Sequence, residues 1–255
     1  MVAKRLDCGE TWSSNRTASS SVILPGLEAW VQAVPSEHAD AGGDIHYLSA
    51  CPRCEVCRVA LADVSGHGNQ VAALGENLRQ LMLQYLSALQ QLGLMRDLNR
   101  SARSALGSVH YATLVAMGWH AQRGLLVVTN AGHPPPMWYQ SARGEWSWLE
   151  IDRARANSKT AGTPLGLLDE VDYERQVVKL RPGDLVVLYS DGLSEATNAA
   201  GAEIGRDGLM ETARGVDSHS AAAFGEQLMA GVSQFRQGVE PGDDQTLIVL
   251  RADGV

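Results

Sequence analysis

Four aspartate positions in the chain lie beside glycine or at the ends of apolar runs, from which a carboxylate can reach past a strand end. Asp44 follows Gly42-Gly43; Asp63 closes CRVALAD and precedes Val64-Ser65-Gly66-His67-Gly68; Asp191 follows LVVLYS and precedes Gly192; Asp243-Asp244 stand just before TLIVL. Carboxylates so placed can converge on one edge of a sheet, and neighbouring glycines let main-chain carbonyls approach the same point. Clusters of oxygen ligands suit hard divalent cations. Each Asp–Gly pair is equally ordinary turn chemistry, and spacing alone does not bring the four together. Cys51, Cys54 and Cys57 of CPRCEVC raise a separate question. With Cys8 or His46 as a fourth ligand they would seat zinc; the preferred reading is a hairpin tip carrying reduced thiols.

Each of these residues needs an element to aim it. Alternation predicts strands at Leu27–Val34, Asp44–Ser49 and Cys57–Val64, the last two flanking the cysteine-bearing turn as a hairpin. After Gly68 the period lengthens. Val71, Leu74, Leu78, Leu81, Met82, Tyr85 and Leu89 recur at three- and four-residue steps, predicting a long amphipathic helix with Gly93 as its stop. A shorter helix is expected over Met95–Leu106. Strands resume at Ala112–Trp119, Leu125–Asn130, Pro136–Tyr139, Tyr173–Leu180, Leu185–Ser190 and Thr246–Arg251, with a turn at Pro182-Gly183-Asp184 and a last helix over Ser220–Val232. Two central helices between groups of hairpin-forming strands favour an α+β fold, a layered antiparallel sandwich with helices outside. Residues 1–21 are rich in Ser, Thr and Asn without apolar periodicity, so they are expected to be a flexible tail, with 22–255 as a single folded domain.

A chain of 255 residues with 45% hydrophobic content can bury a substantial core. No apolar run nears the roughly 20 residues that span a bilayer, and the N-terminus has no signal-type apolar stretch; a cytoplasmic protein with no membrane partner is expected. The net charge of −8 argues against a nucleic-acid partner, whose phosphates call for lysine and arginine. It is compatible with a phosphorylated substrate, because bound cations invert the local field.

Six segments in order, GGD at Gly42–Asp44, ADVSGHG at Ala62–Gly68, TNAGHPPP at Thr129–Pro136, GTPLGLL at Gly162–Leu168, PGDLVVLYSDGLSEATN at Pro182–Asn198 and DDQTLIVL at Asp243–Leu250, resemble the successive signatures of SpoIIE/RsbU-like serine/threonine phosphatases of the PPM (metal-dependent protein phosphatase) superfamily. The resemblance implies a four-layer αββα sandwich of two mainly antiparallel sheets flanked by helices, with two Mn2+ or Mg2+ ions in a cleft at the sheet edges. Carried onto this chain, it makes Asp63 the bridge between the ions, with the Val64 main-chain carbonyl as a further ligand. Asp191 and Asp243 complete the shell of the second ion, Asp44 acts mainly through water, and Asp244 is the alternate to Asp243. The implied chemistry is attack on phosphorus by a water that the cations acidify, with Asp63 and Asp191 catalytic through that water and no protein nucleophile. His67 is a candidate general acid for the leaving alkoxide, set against a structural role in its loop. His133 is expected to hold the NAGHPPP loop near the cleft. The phosphate-binding arginine of better-known superfamily members has no assignable counterpart, which leaves phosphate recognition to the metals. The implied substrate is a phosphoserine or phosphothreonine protein, of the STAS-domain anti-anti-sigma type used in bacterial partner switching. Two other readings stay open: a PPM-fold binding module that sequesters a partner without turnover, and a two-metal hydrolase of small phosphoesters.

Overall fold

Apolar residues at alternate positions of several long runs call for sheets packed face to face, and the computed structural model contains two. It describes residues 3–36, 39–51, 56–66, 69–85, 91–107, 109–150, 160, 162–217 and 219–253. One sheet has seven strands in the order β1 (Lys4–Arg5), β3 (Ala18–Leu24), β4 (Leu27–Val34), β13 (Gln245–Ala252), β12 (Leu185–Tyr189), β9 (Met137–Gln140) and β10 (Glu145–Trp148). The other has six, in the order β11 (Gln176–Lys179), β8 (Leu125–Ala131), β7 (Ala112–His120), β6 (Cys57–Val64), β5 (Ile45–Ala50) and β2 (Thr11–Ser14). Neighbouring strands are antiparallel except β1 and β3.

Leu27, Val31, Leu48, Leu61, Val115, Met117, Val186, Leu188, Ile248 and Leu250 meet between the sheets. Full burial of each such side chain stabilises by about 1.5–3 kcal/mol. The outer face of the six-stranded sheet is covered by α1 (Asn69–Tyr85) and α2 (Gln91–Leu106), whose Leu78, Met82, Met95 and Leu98 join Tyr47, Ala60, Ala62 and Leu114. On the other face of the molecule α4 (Gly205–Arg214) and α5 (Ala221–Arg236) bring Leu209, Phe224, Leu228 and Val232 to Trp30, Val187 and Val249. The short α3 (Asp191–Ser194) follows β12 directly. The result is the expected αββα sandwich.

Register carries the consequence for function. Ile45 opposes Ala62, so one step further Asp44 comes level with Asp63. Tyr189 opposes Leu247, so the residues after β12 come level with those before β13. All the candidate carboxylates therefore gather at one mouth of the sandwich, two from each sheet and the extra aspartate of the Asp243-Asp244 pair.

Three sequence expectations need correction. Residues 3–21 are not a loose tail: β1 and β3 extend the seven-stranded sheet, and β2 edges the six-stranded one. Their serines misled because β3, next to the edge strand β1, is deeply buried only towards its end: Val22 and Leu24 bury while Ser19 stays exposed. Gly93 lies inside α2 rather than ending a helix. A Cβ there would meet nothing within 4 Å, so this glycine is an exposed helix position that costs only propensity. Finally, β10 and α4 had no expected counterpart. The strand EWSW is short and only partly buried, and GRDGLMETAR carries two glycines that weaken its helical signature.

Candidate metal centre

The GGD turn delivers Asp44 into the mouth because its glycines fit where nothing larger does. A methyl group on Gly42 would collide with the Asp244 carboxylate. One on Gly43 would stand 3.1 Å from the Val64 carbonyl oxygen and 3.4 Å from Asp63 Oδ1. These contacts place the Val64 carbonyl and the Asp63 carboxylate on the same side of the turn. Across the mouth, Gly192 is pressed against the Asp244 carbonyl, so that any side chain at 192 would separate Asp191 from the start of β13.

The adjacent aspartates of β13 have different work. Asp244 accepts main-chain hydrogen bonds from Ser36 at 2.7 Å through Oδ1, and from Gly43 at 2.6 Å and Asp44 at 3.4 Å through Oδ2. Its carboxylate therefore ties the seven-stranded sheet to the GGD turn of the six-stranded one. Asp243 Oδ1 accepts from the Asp244 amide at 2.8 Å. That local bond fixes the turn. The Ser190 hydroxyl closes the same corner, accepting from Thr246 N at 2.9 Å and donating to the Asp244 carbonyl at 3.2 Å.

Bringing these carboxylates together without a counter-charge is unfavourable, and their acidities record it. Burial first, then Asp191, Asp243, Asp244 and Glu195, push the Asp63 carboxyl up to about 8. Asp44 is raised well above the usual range by burial and next by Asp63, with the neighbouring Ser190 and Thr246 hydroxyls pulling the other way. Asp191 is raised by burial, partly offset by the Gly192 amide. Both Asp44 carboxylate oxygens are buried without a hydrogen-bond partner. Buried anions without partners are costly unless a cation answers them.

The donor set fits a hard divalent pair better than zinc. It consists of carboxylates and a main-chain carbonyl, and among the described residues no three His, Cys, Asp or Glu side chains stand close enough together to hold an ion by themselves. An open arrangement of this kind matches Mg2+ or Mn2+, which are held by one or two carboxylates each and keep several waters.

Neighbouring loops hold the mouth in shape. Asn15, buried at 6% exposure in the segment expected to be a tail, donates from Nδ2 to the Gly42 and Ala72 carbonyls, while its own carbonyl accepts from Gly42 N. On α1, Gly75 lies so close to the turn that a Cβ would sit 2.9 Å from the Gly42 carbonyl oxygen. His133 does hold the NAGHPPP loop. Asn130 brackets its main chain with bonds of 2.8 and 2.9 Å, and its Nδ1 meets the Thr113 hydroxyl at 2.7 Å. Burial keeps the His133 ring neutral, its acidity moved down to about 3.

Of the remaining sequence candidates, His67 lies outside the described residues, as does Cys54. Cys8 is disulfide-bonded, which spacing did not suggest and which removes it as a free zinc ligand. Cys51 and Cys57 are not disulfide-bonded, and burial followed by the neighbouring Cys51 pushes Cys57 up to about 12, away from the thiolate a metal needs. His46 is fully buried and neutral, moved down to about 4 by burial and then by Arg79. Sequence reasoning passed over Asn15 and Glu195. Nothing in a Ser-rich segment marks Asn15, whereas Glu195 stands four residues after Asp191, one helical turn on, and its carboxyl is raised by burial and then by Asp191.

The mouth opens into a cleft of about 940 Å³. It is lined by Thr113, Asn130, His133, Pro134, Pro135, Leu149, Glu150, Asp191, Ser194, Glu195 and Arg206.

The two-sheet sandwich with helices outside is a fold shared with solved structures. The RsbU and RsbW domains of Rv1364c from Mycobacterium tuberculosis superpose with a TM-score of 0.75 at 22% identity, covering 94% of this chain and 63% of that one. The catalytic domain of the serine/threonine protein phosphatase PstP, solved with two manganese ions, gives a TM-score of 0.60 at 18% identity, covering 89% of this chain and 99% of that one. The chain belongs to the SpoIIE family, whose description, Stage II sporulation protein E, matches residues 55–253. It is 26% identical over 205 residues to the phosphoserine phosphatase RsbU of Bacillus subtilis (strain 168), covering 77% of this chain and 56% of that protein. It thus spans little more than half of that relative's length.

Proposed function

We propose that this chain is a Mn2+- or Mg2+-dependent phosphatase of phosphoserine or phosphothreonine proteins. The observation that carries the reading is the set of mutually repelling carboxylates from both sheets, with both Asp44 oxygens unpartnered, opening on a cleft large enough for a peptide. Asp63, the Val64 carbonyl, Asp191 and Asp243 would hold two cations, and Asp44 would act through water. The three main-chain bonds already accepted by Asp244 favour Asp243 as the ligand. What the cations supply when bound is a water acidic enough to attack phosphorus and positive charge for the phosphoryl oxygens.

The chain's own residues do the rest. Gly42, Gly43 and Gly192 let the turns close, Asp244 and Ser190 fix the two sheets at the mouth, and His133 sets the cleft wall without exchanging protons near neutrality. His67 is proposed as the acid that protonates the leaving alkoxide. The RsbU-type relatives support a role in partner switching; in this reading a STAS-domain anti-anti-sigma protein is the substrate and the cytoplasm the place of action. Among the described residues no helix is long and apolar enough to cross a membrane.

Hydrolysis of a phosphoserine peptide with and without Mn2+ tests the reading, using Asp63→Ala and Asp191→Ala variants checked for folding. Activity that needs Mn2+ and disappears in both variants is expected. Full activity in either variant would sink the metal assignment, and peptide binding without hydrolysis at any cation concentration would replace it with the sequestering module.

A further inference from the structure

The cleft carries a feature that hydrolysis of a phosphate does not require. Arg206, in the first turn of α4, lines the cleft together with Asp191 and Glu195, and it is the one cation among the described residues that do so. Its guanidinium lies 4.6 Å above the Trp148 ring and forms an ion pair with Glu150 through Nη2. Arg206 remains 45% exposed and Glu150 48% exposed. The aromatic shelf restrains the guanidinium, which is part of the cleft's lining and stays partly exposed. Such a group captures a planar carboxylate with paired hydrogen bonds.

From this geometry we infer that Arg206 reads an acidic side chain near the phosphorylated residue of the substrate. The inference rests on the proposed phosphatase reading and names the substrate class for that same cleft. Besides Asp191, where the proposed cations would sit, Glu150 and Glu195 line the cleft, and near them an acidic peptide would be repelled without a counter-charge. Arg206 reverses that sign at one point. The adjoining wall, Pro134 and Pro135, has no main-chain N–H with which to pair an extended peptide, so discrimination along it falls to side chains. Glu150 is the internal competitor: a substrate carboxylate must share the guanidinium with it.

The experiment uses phosphoserine peptides that each carry one glutamate within four residues of the phosphoserine and are otherwise neutral, with an all-neutral peptide as reference. Hydrolysis with Mn2+ and affinity by fluorescence anisotropy are both measured. The best glutamate position should be preferred about tenfold over the neutral peptide, through KM rather than kcat. Arg206→Ala should abolish that preference, Arg206→Lys should keep part of it, and Glu150→Gln should strengthen it severalfold by removing the competitor. A merely structural role for Arg206 would not produce the gain in Glu150→Gln. No preference in the parent chain, or a preference unchanged in Arg206→Ala and Arg206→Lys, overturns the inference. An equal loss for neutral and acidic peptides also overturns it, because Arg206 would then be binding the phosphate itself. If no peptide is hydrolysed, the phosphatase reading fails, and anisotropy with the same variants still decides the role of Arg206.

Discussion

The pair Asp243 and Asp244 gives the sharpest test of how the mouth is built, because two adjacent residues of one type should fail in opposite ways. In Asp244→Asn, one of the two acceptor oxygens becomes an NH2 group facing main-chain N–H donors that now bond at 2.7, 2.6 and 3.4 Å. A hydrogen bond to a charged group is worth about 1.5–3 kcal/mol, so losing one or two of these costs about 3–5 kcal/mol. Removing a charge that repels Asp63 returns part of it. The net loss should be about 2–4 kcal/mol, which for a chain of this size lowers Tm by roughly 5–12 °C. Asp243→Asn keeps an acceptor for the Asp244 amide and should cost less than about 1 kcal/mol. It should instead abolish the rise in Tm that Mn2+ gives the parent chain. Thermal unfolding of both variants in EDTA and in Mn2+ measures all four quantities. Should Asp244→Asn unfold like the parent in EDTA and lose its response to Mn2+, while Asp243→Asn keeps that response, the two roles are exchanged and the argument from hydrogen bonding is wrong.

Asp63→Asn should make the metal-free chain more stable while removing hydrolysis. The Asp63 carboxyl is raised in the folded state to about 8, so the folded chain binds its proton more tightly than the unfolded chain does. Its contribution therefore falls as pH rises from the unfolded value near 4 to about 8, by about 2–4 kcal/mol at neutrality. Denaturant unfolding in EDTA at pH 5 and pH 8 should show a smaller difference in Asp63→Asn than in the parent. His133 has the opposite sign. With its folded value moved down to about 3, it stays neutral while the unfolded imidazole protonates below about 6.5, so stability is lost as pH falls, about 2 kcal/mol by pH 5. That acid-side loss should shrink in His133→Gln, measured as the change in unfolding free energy between pH 7 and pH 5. Gly75→Ala should forfeit the usual helix gain of about 1 kcal/mol, because the new methyl presses on the Gly42 carbonyl. Weaker Mn2+ binding in titration calorimetry, with α1 intact by circular dichroism, is the expected result; unchanged affinity would show that the turn yields.

The parts of this molecule that were legible in its sequence are those where one physical demand dominates. β4 and β6 came out with their observed bounds, because alternation and a continuous apolar run each have a single cheap solution. Asp44, Asp63, Asp191 and the Asp243-Asp244 pair were identifiable because each stands where an apolar run stops and a turn begins. Composition gave no reason for them to meet; the ordered motifs supplied that expectation, and strand register provides the cause. What stayed hidden depends on partners distant in sequence. Asn15 reads as one more polar residue in a serine-rich stretch until the Gly42 carbonyl lies above it. The contrast between Asp243 and Asp244 is invisible in a dipeptide, since only the amides of Ser36, Gly43 and Asp44, some 200 residues away, distinguish them. Arg206 belongs to the same class: its helix was missed, and its significance depends on a tryptophan and a glutamate some fifty residues earlier. Local sequence thus marks the residues that carry the charge. The residues that aim that charge and select what meets it are set by contacts between elements, and the three glycines at the mouth register those contacts only as an absence of side chain.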